Sequence, residues 1–324
     1  MFDGKTVCVV VPAYNEEKLI QRVVETMHEC VDRIVIVDDC STDETVFIVK
    51  ELRERDADRV VLIEHEQNQG VGGAIATGYK FARDHGFDLT AVMAGDAQMD
   101  PDDLPALLAP VASGEADYSK GNRLFTGEAW KKIPHIRYLG NSALSFMTKI
   151  ASGYWHVADS QTGYTVCSLR VLKTLDLDSI YKRYGMPNDI LVRLNLYDFV
   201  VVDVPINPVY DIGEKSGICY HKSLFTFSFL LARLFLWRMF QKYVIRDFHP
   251  LVFFYMMGFS FVPVGVVWGL YLFYLRITHG PVAPTSSLLA AFLIITGMQS
   301  LFFGMWMDMQ HVRDTHNLRR MKDQ

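Results

Sequence analysis

A chain of 324 residues, half of them hydrophobic and with a formal net charge of −5, is long enough for a sizeable core and does not have the composition of a disordered or disulfide-stapled protein. Residues 221–324 hold ten Lys or Arg against four Asp, a net of +6, which leaves −11 on residues 1–220. An acidic front without a basic patch argues against nucleic acid as a partner. The five cysteines, Cys8, Cys30, Cys40, Cys167 and Cys219, lack metal-ligand spacing and read as free thiols.

The front alternates strand and helix. Thr6–Val11 reads as a strand, Glu17–Glu29 as a helix, Arg33–Val37 as a strand and Asp43–Arg55 as a helix capped by Ser41 or Thr42. Val60–Ile63 and Leu89–Met93 continue the strands, Val71–His85 and Asp102–Ala112 the helices. The unbroken β-branched runs VCVVV and RIVIV predict strands covered on both faces, hence an α/β fold with a mostly parallel sheet. In open α/β sheets ligands bind beyond the carboxyl ends of the strands. PAYNE at 12–16, DDCSTD at 38–43 and GDAQMDP at 95–101 fall at those ends and are expected to share one cleft.

From Ala116 the pattern is mixed. ADYSKGNR at 116–123 reads as a strand entering a polar loop, Tyr138–Ser152 as a helix, and QTGYTVCS at 161–168 and Phe199–Val204 as strands. His221–Tyr243 is rich in aromatics yet broken by Arg233 and Arg238, the pattern of a helix lying in a membrane interface or of a soluble packing helix. Two apolar runs follow, Leu251–Leu275 and Ser286–Met307, of 25 and 22 residues and free of charge. At ~1.5 Å per residue each can cross a ~30 Å hydrocarbon core. Lys242, Arg246, Arg313, Arg319, Arg320 and Lys322 flank the pair and the connecting loop is nearly uncharged, so both termini are expected in the cytoplasm. No charged, then apolar, leader precedes the first strand, so no secretory signal is expected. The expected layout is a catalytic domain at 1–220, an interfacial segment at 221–246, a two-helix transmembrane hairpin at 247–310 and a cytoplasmic tail at 311–324. Small residues such as Gly258, Ser260 and Gly265 would let copies of the hairpin pack into a homo-oligomer.

Several side chains suit phosphate and sugar chemistry. Asp96, Gln98 and Asp100 alternate along one turn, oxygen donors suited to Mg²⁺ or Mn²⁺ beside a substrate diphosphate, although Asp100 could instead cap the following helix. Asp38 and Asp39 end the second strand, where a carboxylate can accept from a base N–H or a ribose hydroxyl, or brace the turn. Tyr14, Asn15 and Glu16, after Pro12 and Ala13, are placed to flank a nucleoside. Gly70-Val71-Gly72-Gly73 lacks the dinucleotide-binding fingerprint, since residue 75 is Ile and the turn follows the third strand. Its glycines permit a tight turn and close helix packing, and Gly70 is grouped with the nucleotide-facing residues. Arg123, Arg137 and Lys215 are the basic groups available to a second phosphorylated substrate. Asp189, beside Pro187, could meet sugar hydroxyls or cap a helix.

The strings VVVPAYNEE (9–17), IVIVDDCSTDET (34–45), NQGVGGAIATGY (68–79), GDAQMDPDDL (95–104), KGNR (120–123), DSQTGYT (159–165) and VYDIGEKSGI (209–218) resemble the inverting family 2 glycosyltransferases, above all the branch of dolichyl-phosphate mannose and glucose synthases and bacterial polyprenyl-phosphate glycosyltransferases. The resemblance implies a GT-A nucleotide-sugar-binding fold and transfer of a hexose or N-acetylhexosamine from a nucleotide sugar, UDP in preference to GDP, to polyprenyl or dolichyl phosphate. It further implies that Pro12, Ala13, Glu16 and Asp39 hold the nucleoside, that Asp96 and Gln98 hold the metal, that Arg123 and Arg137 hold the lipid phosphate, and that Lys215 lies near the phosphates. The family's Asp-x-Asp-x-Gln pattern reads Ala94-Gly95-Asp96-Ala97-Gln98 here, so one acidic contact is missing. A GDP-mannose donor, a processive polysaccharide synthase and an inactive membrane-anchored nucleotide-binding scaffold are the competing readings.

Overall fold

The computed structural model describes residues 1–124, 135–207 and 220–322, without the side chains of 135–139, 141, 220–225 and 315–322. It divides into two compact units, Met1–Phe235 and Leu236–Gln324.

Among the described residues, the first unit is built on a seven-stranded sheet. Its strands are β1 (Val7–Ala13), β2 (Arg33–Asp38), β3 (Val60–Glu64), β4 (Leu89–Val92), β5 (Tyr118–Asn122), β6 (Thr165–Ser168) and β7 (Val201–Pro205), in the order β3-β2-β1-β4-β6-β5-β7. Every residue of β1 is buried, as the VCVVV run predicts. Val7, Val9 and Val11 belong to a core shared with Ile20, Val23 and the Leu104–Ala112 helix. On the opposite face Val10 lies against Gly78 of the Val71–Asp84 helix, close enough that a Cβ there would collide with it. Six strands run the same way. β6 alone is reversed, antiparallel to both β4 and β5, and its short alternating run gives no sign of direction in the sequence.

Several expected elements are shorter than their patterns suggest. The first helix covers only Ile20–Glu25, because the backbone N–H groups of Asn15, Glu16 and Glu17 donate to side chains of the 41–45 loop instead of starting a helical ladder. The second begins at Thr45 with Glu44 at the N-cap position, and Asp43 Oδ1 accepts Thr45 N–H at 3.0 Å; Ser41 and Thr42 are engaged by Asn15 instead of capping it. Asp100 accepts Asp102 N–H at 3.0 Å and caps the 3₁₀ turn Pro101–Asp103, the structural role open to it. Strand β6 starts at Thr165 rather than Gln161.

In the second unit, the helices Leu251–Thr278 and Pro284–Asp314 are each long and apolar enough to cross a membrane. They pack on each other through glycine: a Cβ at Gly258 would strike Leu301, and one at Gly265 would lie 2.8 Å from Ile294. Both glycines therefore serve the contact within the hairpin. Phe253, Phe259, Phe273, Phe292 and Phe302 remain exposed. The helix Tyr220–Phe240 passes into one π-helical turn, Gln241–Arg246. Arg233 is exposed, but Arg238 is fully buried, with its guanidinium forked onto Asp308 at 2.9 and 2.8 Å and Tyr243 Oη donating to the same carboxylate at 2.6 Å. So Arg238 does not join an outward polar stripe.

A buried pair broken on one side leaves an uncompensated charge. Asp308→Ala is expected to cost ~3–5 kcal/mol, whereas Arg238→Met with Asp308→Leu, of similar volume and no charge, should restore most of it. Thermal unfolding of both variants in detergent micelles checks this.

Candidate active site

The loops after β1, β2 and β4 interlock at the carboxyl edge of the sheet. Asn15, with a left-handed φ of 57°, donates its N–H to Ser41 Oγ at 2.9 Å and accepts Thr42 N–H on Oδ1 at 2.8 Å. Glu16 N–H meets Thr45 Oγ1 at 2.8 Å, and Glu17 N–H meets Asp43 Oδ2 at 3.2 Å. Gly95 N–H donates to Pro12 O at 3.3 Å, which draws the β4 exit to the β1 exit, while Ala13 pairs with Asp38 across β1 and β2. Tyr14 is half exposed over this edge. The three polar clusters therefore share one cleft, as their placement at strand ends predicts.

The two β2 carboxylates have different surroundings. Asp39 is buried, and its oxygens accept Gln69 N–H at 2.8 Å, Gly70 N–H at 2.7 Å and His65 Nδ1 at 2.9 Å. His65 Nε2 continues to Thr77 Oγ1 at 2.9 Å. Asp39 thus fastens the 65–70 loop to the end of β2. Gly70 has a φ of 85°, and a Cβ there would lie 2.5 Å from Lys182 O, so both backbone shape and the neighbouring chain demand glycine. Asp38 accepts Ser41 N–H at 3.0 Å on Oδ2, while its Oδ1 is buried without a hydrogen-bond donor. That is an unmet acceptor at the strand end.

The turn after β4 is tightly organised. Asp96 Oδ1 accepts Gln98 N–H at 3.1 Å, Ala97 lies at φ 56°, and Ala94 N–H points to Met99 Sδ at 3.3 Å. Tyr164 Oη holds the far end of the turn through Asp100 O at 3.0 Å. Glu16 packs against Gly95, its Cγ 3.4 Å from where a Cβ would stand, immediately beside Asp96. Burial first, then the charges of Asp96 and Asp43, push the Glu16 carboxyl up to about 7. The Glu16 and Asp96 carboxyls, crowded at the adjoining ends of β1 and β4, are hard oxygen donors, a chemistry that fits Mg²⁺ or Mn²⁺. A cavity of about 260 Å³ opens next to the turn, lined by Arg22, Thr26, Met93, Ala97, Met99 and Asp100 among others.

The reversal of β6 brings the second half of the cleft to the same edge. Because β6 runs against the others, the DSQTGYT segment that feeds it arrives where β4 and β5 end. Arg123, just beyond β5, forks onto Asp159 of that segment, with Nε at 2.7 Å and Nη2 at 3.2 Å. The Arg123 side chain is 25% exposed and Asp159 only 3%, so the carboxylate orients the guanidinium from below. The partnership of Arg123 with Asp159, like the roles of His65 and Asn15, has no local signal in the sequence. The partners lie 36 residues apart and meet only through the sheet order. The Arg137 side chain, Lys215 and Cys219 lie outside the described residues. Asp189 sits buried in the first turn of the Met186–Leu196 helix, accepting Tyr181 N–H at 2.8 Å and pairing with Arg193 at 2.9 Å.

The model of the family described as Glycosyl transferase family 2 matches residues 8–176. The chain is 36% identical over 218 residues to the UDP-N-acetylglucosamine--dolichyl-phosphate N-acetylglucosaminyltransferase of Methanococcus voltae, covering 64% of this chain and 86% of that one. It is 29% identical over 201 residues to the polyprenol monophosphomannose synthase of Mycolicibacterium smegmatis, covering 61% and 75%. Among solved structures, glucosyl-3-phosphoglycerate synthase from Mycobacterium tuberculosis, in complex with Mn²⁺ and uridine-diphosphate-glucose, superposes with a TM-score of 0.51 at 20% identity, over 72% of this chain and 79% of that one. At that identity the superposition speaks for the fold.

Removing the Asp39 carboxylate strands the donors it holds. Asp39→Ala is expected to cost on the order of 1–3 kcal/mol for each N–H left buried and unpaired. Amide hydrogen exchange should show residues 66–70 losing protection ahead of the rest of the first unit.

Proposed function

Because the chain belongs to glycosyl transferase family 2, we propose that it transfers a hexose or N-acetylhexosamine, with inversion, from a UDP-sugar to a polyprenyl or dolichyl phosphate at the cytoplasmic face of a membrane. The observation that carries this reading is the pairing of two phosphate-handling poles on one sheet edge: the Asp96 turn with Glu16 after β4 and β1, and Arg123 on Asp159 after β5. A glycosyl donor leaves a diphosphate and a phosphate acceptor brings a second anion, so an enzyme of this kind needs both. The relative from Methanococcus voltae is named for a UDP-sugar and a dolichyl phosphate, which supports the choice of base and acceptor. The smegmatis relative is named for a mannose product, which keeps GDP-mannose in the test.

In this reading Asp96 and Gln98 hold the divalent cation, with Glu16 alongside. The bound cation would supply Lewis-acid neutralisation of the departing nucleoside diphosphate. Among the described residues no group of three His, Cys, Asp or Glu side chains is placed to hold a metal. Such a site suits Mg²⁺ or Mn²⁺, which use one or two carboxylates plus substrate phosphate and water. Ala94, in place of an acid, would contribute no oxygen to that cation. Pro12, Ala13, Tyr14 and the Asp38 carboxylate border the nucleoside, while Asp39 acts through the Gln69–Gly70 backbone that it holds.

The acceptor phosphate lies against Arg123, with Arg137 and Lys215 contributing further charge. One of its oxygens forms the bond to the anomeric carbon from the face opposite the diphosphate. The bond from that carbon to the diphosphate oxygen breaks with its electron pair, and inversion follows. A phosphate monoester with a second pKa near ~6 is already a dianion at neutral pH. No protein base has to remove a proton, and positioning with electrostatic stabilisation supplies the rate. The helices Leu251–Thr278 and Pro284–Asp314 span the bilayer and Tyr220–Phe240 borders it, both termini being cytoplasmic. This tethers the catalytic unit to the phase that contains the acceptor.

The full chain in native membranes, given a panel of UDP- and GDP-sugars, a short polyprenyl phosphate and Mn²⁺, should move labelled sugar into the lipid phase. Asp96→Ala is expected to lower that rate by ~10²–10³-fold. Transfer only into water-soluble polymer, or lipid-phase product undiminished by Asp96→Ala, would overturn the proposal.

A further inference from the structure

Strand β5 carries a lysine that the chemistry above leaves unused. Lys120 is fully buried. It is in register with Thr165 of β6 and Asp203 of β7, so the three side chains leave the same face of the sheet. Its ammonium donates to Thr162 O. Asp203 Oδ2 accepts Ala158 N–H at 2.7 Å and Asn122 Nδ2 at 3.1 Å, while its Oδ1 is buried without a donor. Asp159 accepts Gln161 N–H at 3.1 Å besides the Arg123 fork. The 158–162 segment is therefore fastened to the sheet by Lys120, Arg123 and Asp203, and the same three residues with Asp159 make one charge cluster.

Among the described residues, the charged groups facing Lys120 are Asp203 from β7, Asp159 from the loop and Arg123 from beyond its own strand. His156, whose Nε2 meets Val201 O at 2.8 Å, borders Asp203. With both cations charged and both carboxylates ionised the cluster is neutral. Without the lysine charge it is anionic, and Arg123 cannot compensate because Asp159 already neutralises it.

We infer that Lys120 is a positioning residue of the acceptor site: from inside the sheet it balances Asp159 and Asp203, so that Arg123 meets a phosphate dianion over a neutral bed instead of an anionic one. This rests on Arg123 as the acceptor contact proposed above. Burial, only partly opposed by Asp159 and Asp203, brings the Lys120 ammonium down to about 8. An anion on Arg123 favours the protonated lysine, so acceptor affinity is full below that pH and falls as the proton is lost. The acceptor's own second proton is gone by about pH 7, so it does not confuse the profile.

The test uses the full chain in detergent, with farnesyl phosphate as the probe. Its Kd is followed by calorimetry from about pH 7 to 9.5, beside the acceptor KM and kcat of sugar transfer. In the wild type both Kd and KM should rise about tenfold across that range, with kcat and donor KM within about twofold. Lys120→Met should start at the weakened value and stay flat, meeting the wild type at the alkaline end. The double variant Lys120→Met with Asp203→Asn restores neutrality and should recover the neutral-pH affinity. It also remains informative if the single variant does not fold. A flat wild-type profile, a Lys120→Met protein with wild-type affinity at pH 7, or no recovery in the double variant overturns the inference. Farnesyl phosphate binding with these dependences, but without sugar transfer, overturns the proposed reaction and leaves the inference standing. No binding at any pH removes both.

Discussion

The constraint on which the rest of the first unit depends is the complete burial of its central strands. Every position of β1 is covered, and Ile34, Val35, Ile36 and Val37 of β2 are as well. A polar side chain there would have to be desolvated without a partner, so chemistry is displaced to the points where the strands stop. The backbone then supplies the loops with fixed anchors. Gly95 hangs from Pro12, the 65–70 loop hangs from Asp39, and Asn15 and Glu16 hang from the 41–45 turn. The carboxylates that look in the sequence like ligand contacts are in part the fasteners that give the cleft its shape.

Charge placement follows from the same geometry. The reversed strand β6 determines where one cation of this acidic domain is held. It carries Asp159 to the edge where β5 ends, and Asp159 orients Arg123. At the opposite pole the carboxyls of Glu16 and Asp96 crowd one another, which holds Glu16 near the point of taking up a proton. One pole gathers carboxyls, and the other presents a guanidinium held from below by Asp159. The carboxyl pole rests on backbone that has left-handed residues at its turning points, Asn15 and Ala97, and such strain is stable only where the surroundings over-determine it.

Much of this is legible in the sequence. Periodicity marked the strands of the first half, their two-sided burial and the common edge of PAYNE, DDCSTD and GDAQMDP, because burial leaves a direct trace in composition. The helical pattern over 17–29 runs longer than the helix itself because Asn15, Glu16 and Glu17 give their N–H groups to residues 26 to 29 positions away, a competition that local propensity does not register. The same reason hid the His65–Asp39 contact and the Arg123–Asp159 fork. The direction of β6 was hidden too, since alternation over four residues is the same read either way. Gly258 and Gly265 looked free for self-association, but each faces the neighbouring helix of its own hairpin.

The second unit sets a buried charge against an apolar background. Dispersion between aliphatic side chains is undirected, and within the hairpin it is the close approaches of Gly258 to Leu301 and of Gly265 to Ile294 that seat one helix on the other. Arg238 forked onto Asp308, with Tyr243 on the same carboxylate, ties the end of the Tyr220–Phe240 helix and its π turn to the Pro284–Asp314 helix, where slippage would leave a charge unpaired in a dry interior. Desolvation offsets much of the attraction in a buried ion pair, so what such a pair adds to undirected apolar contacts is direction. That is a physical reason for an arginine in a segment that hydropathy alone would place at an interface, and for its burial instead of outward display.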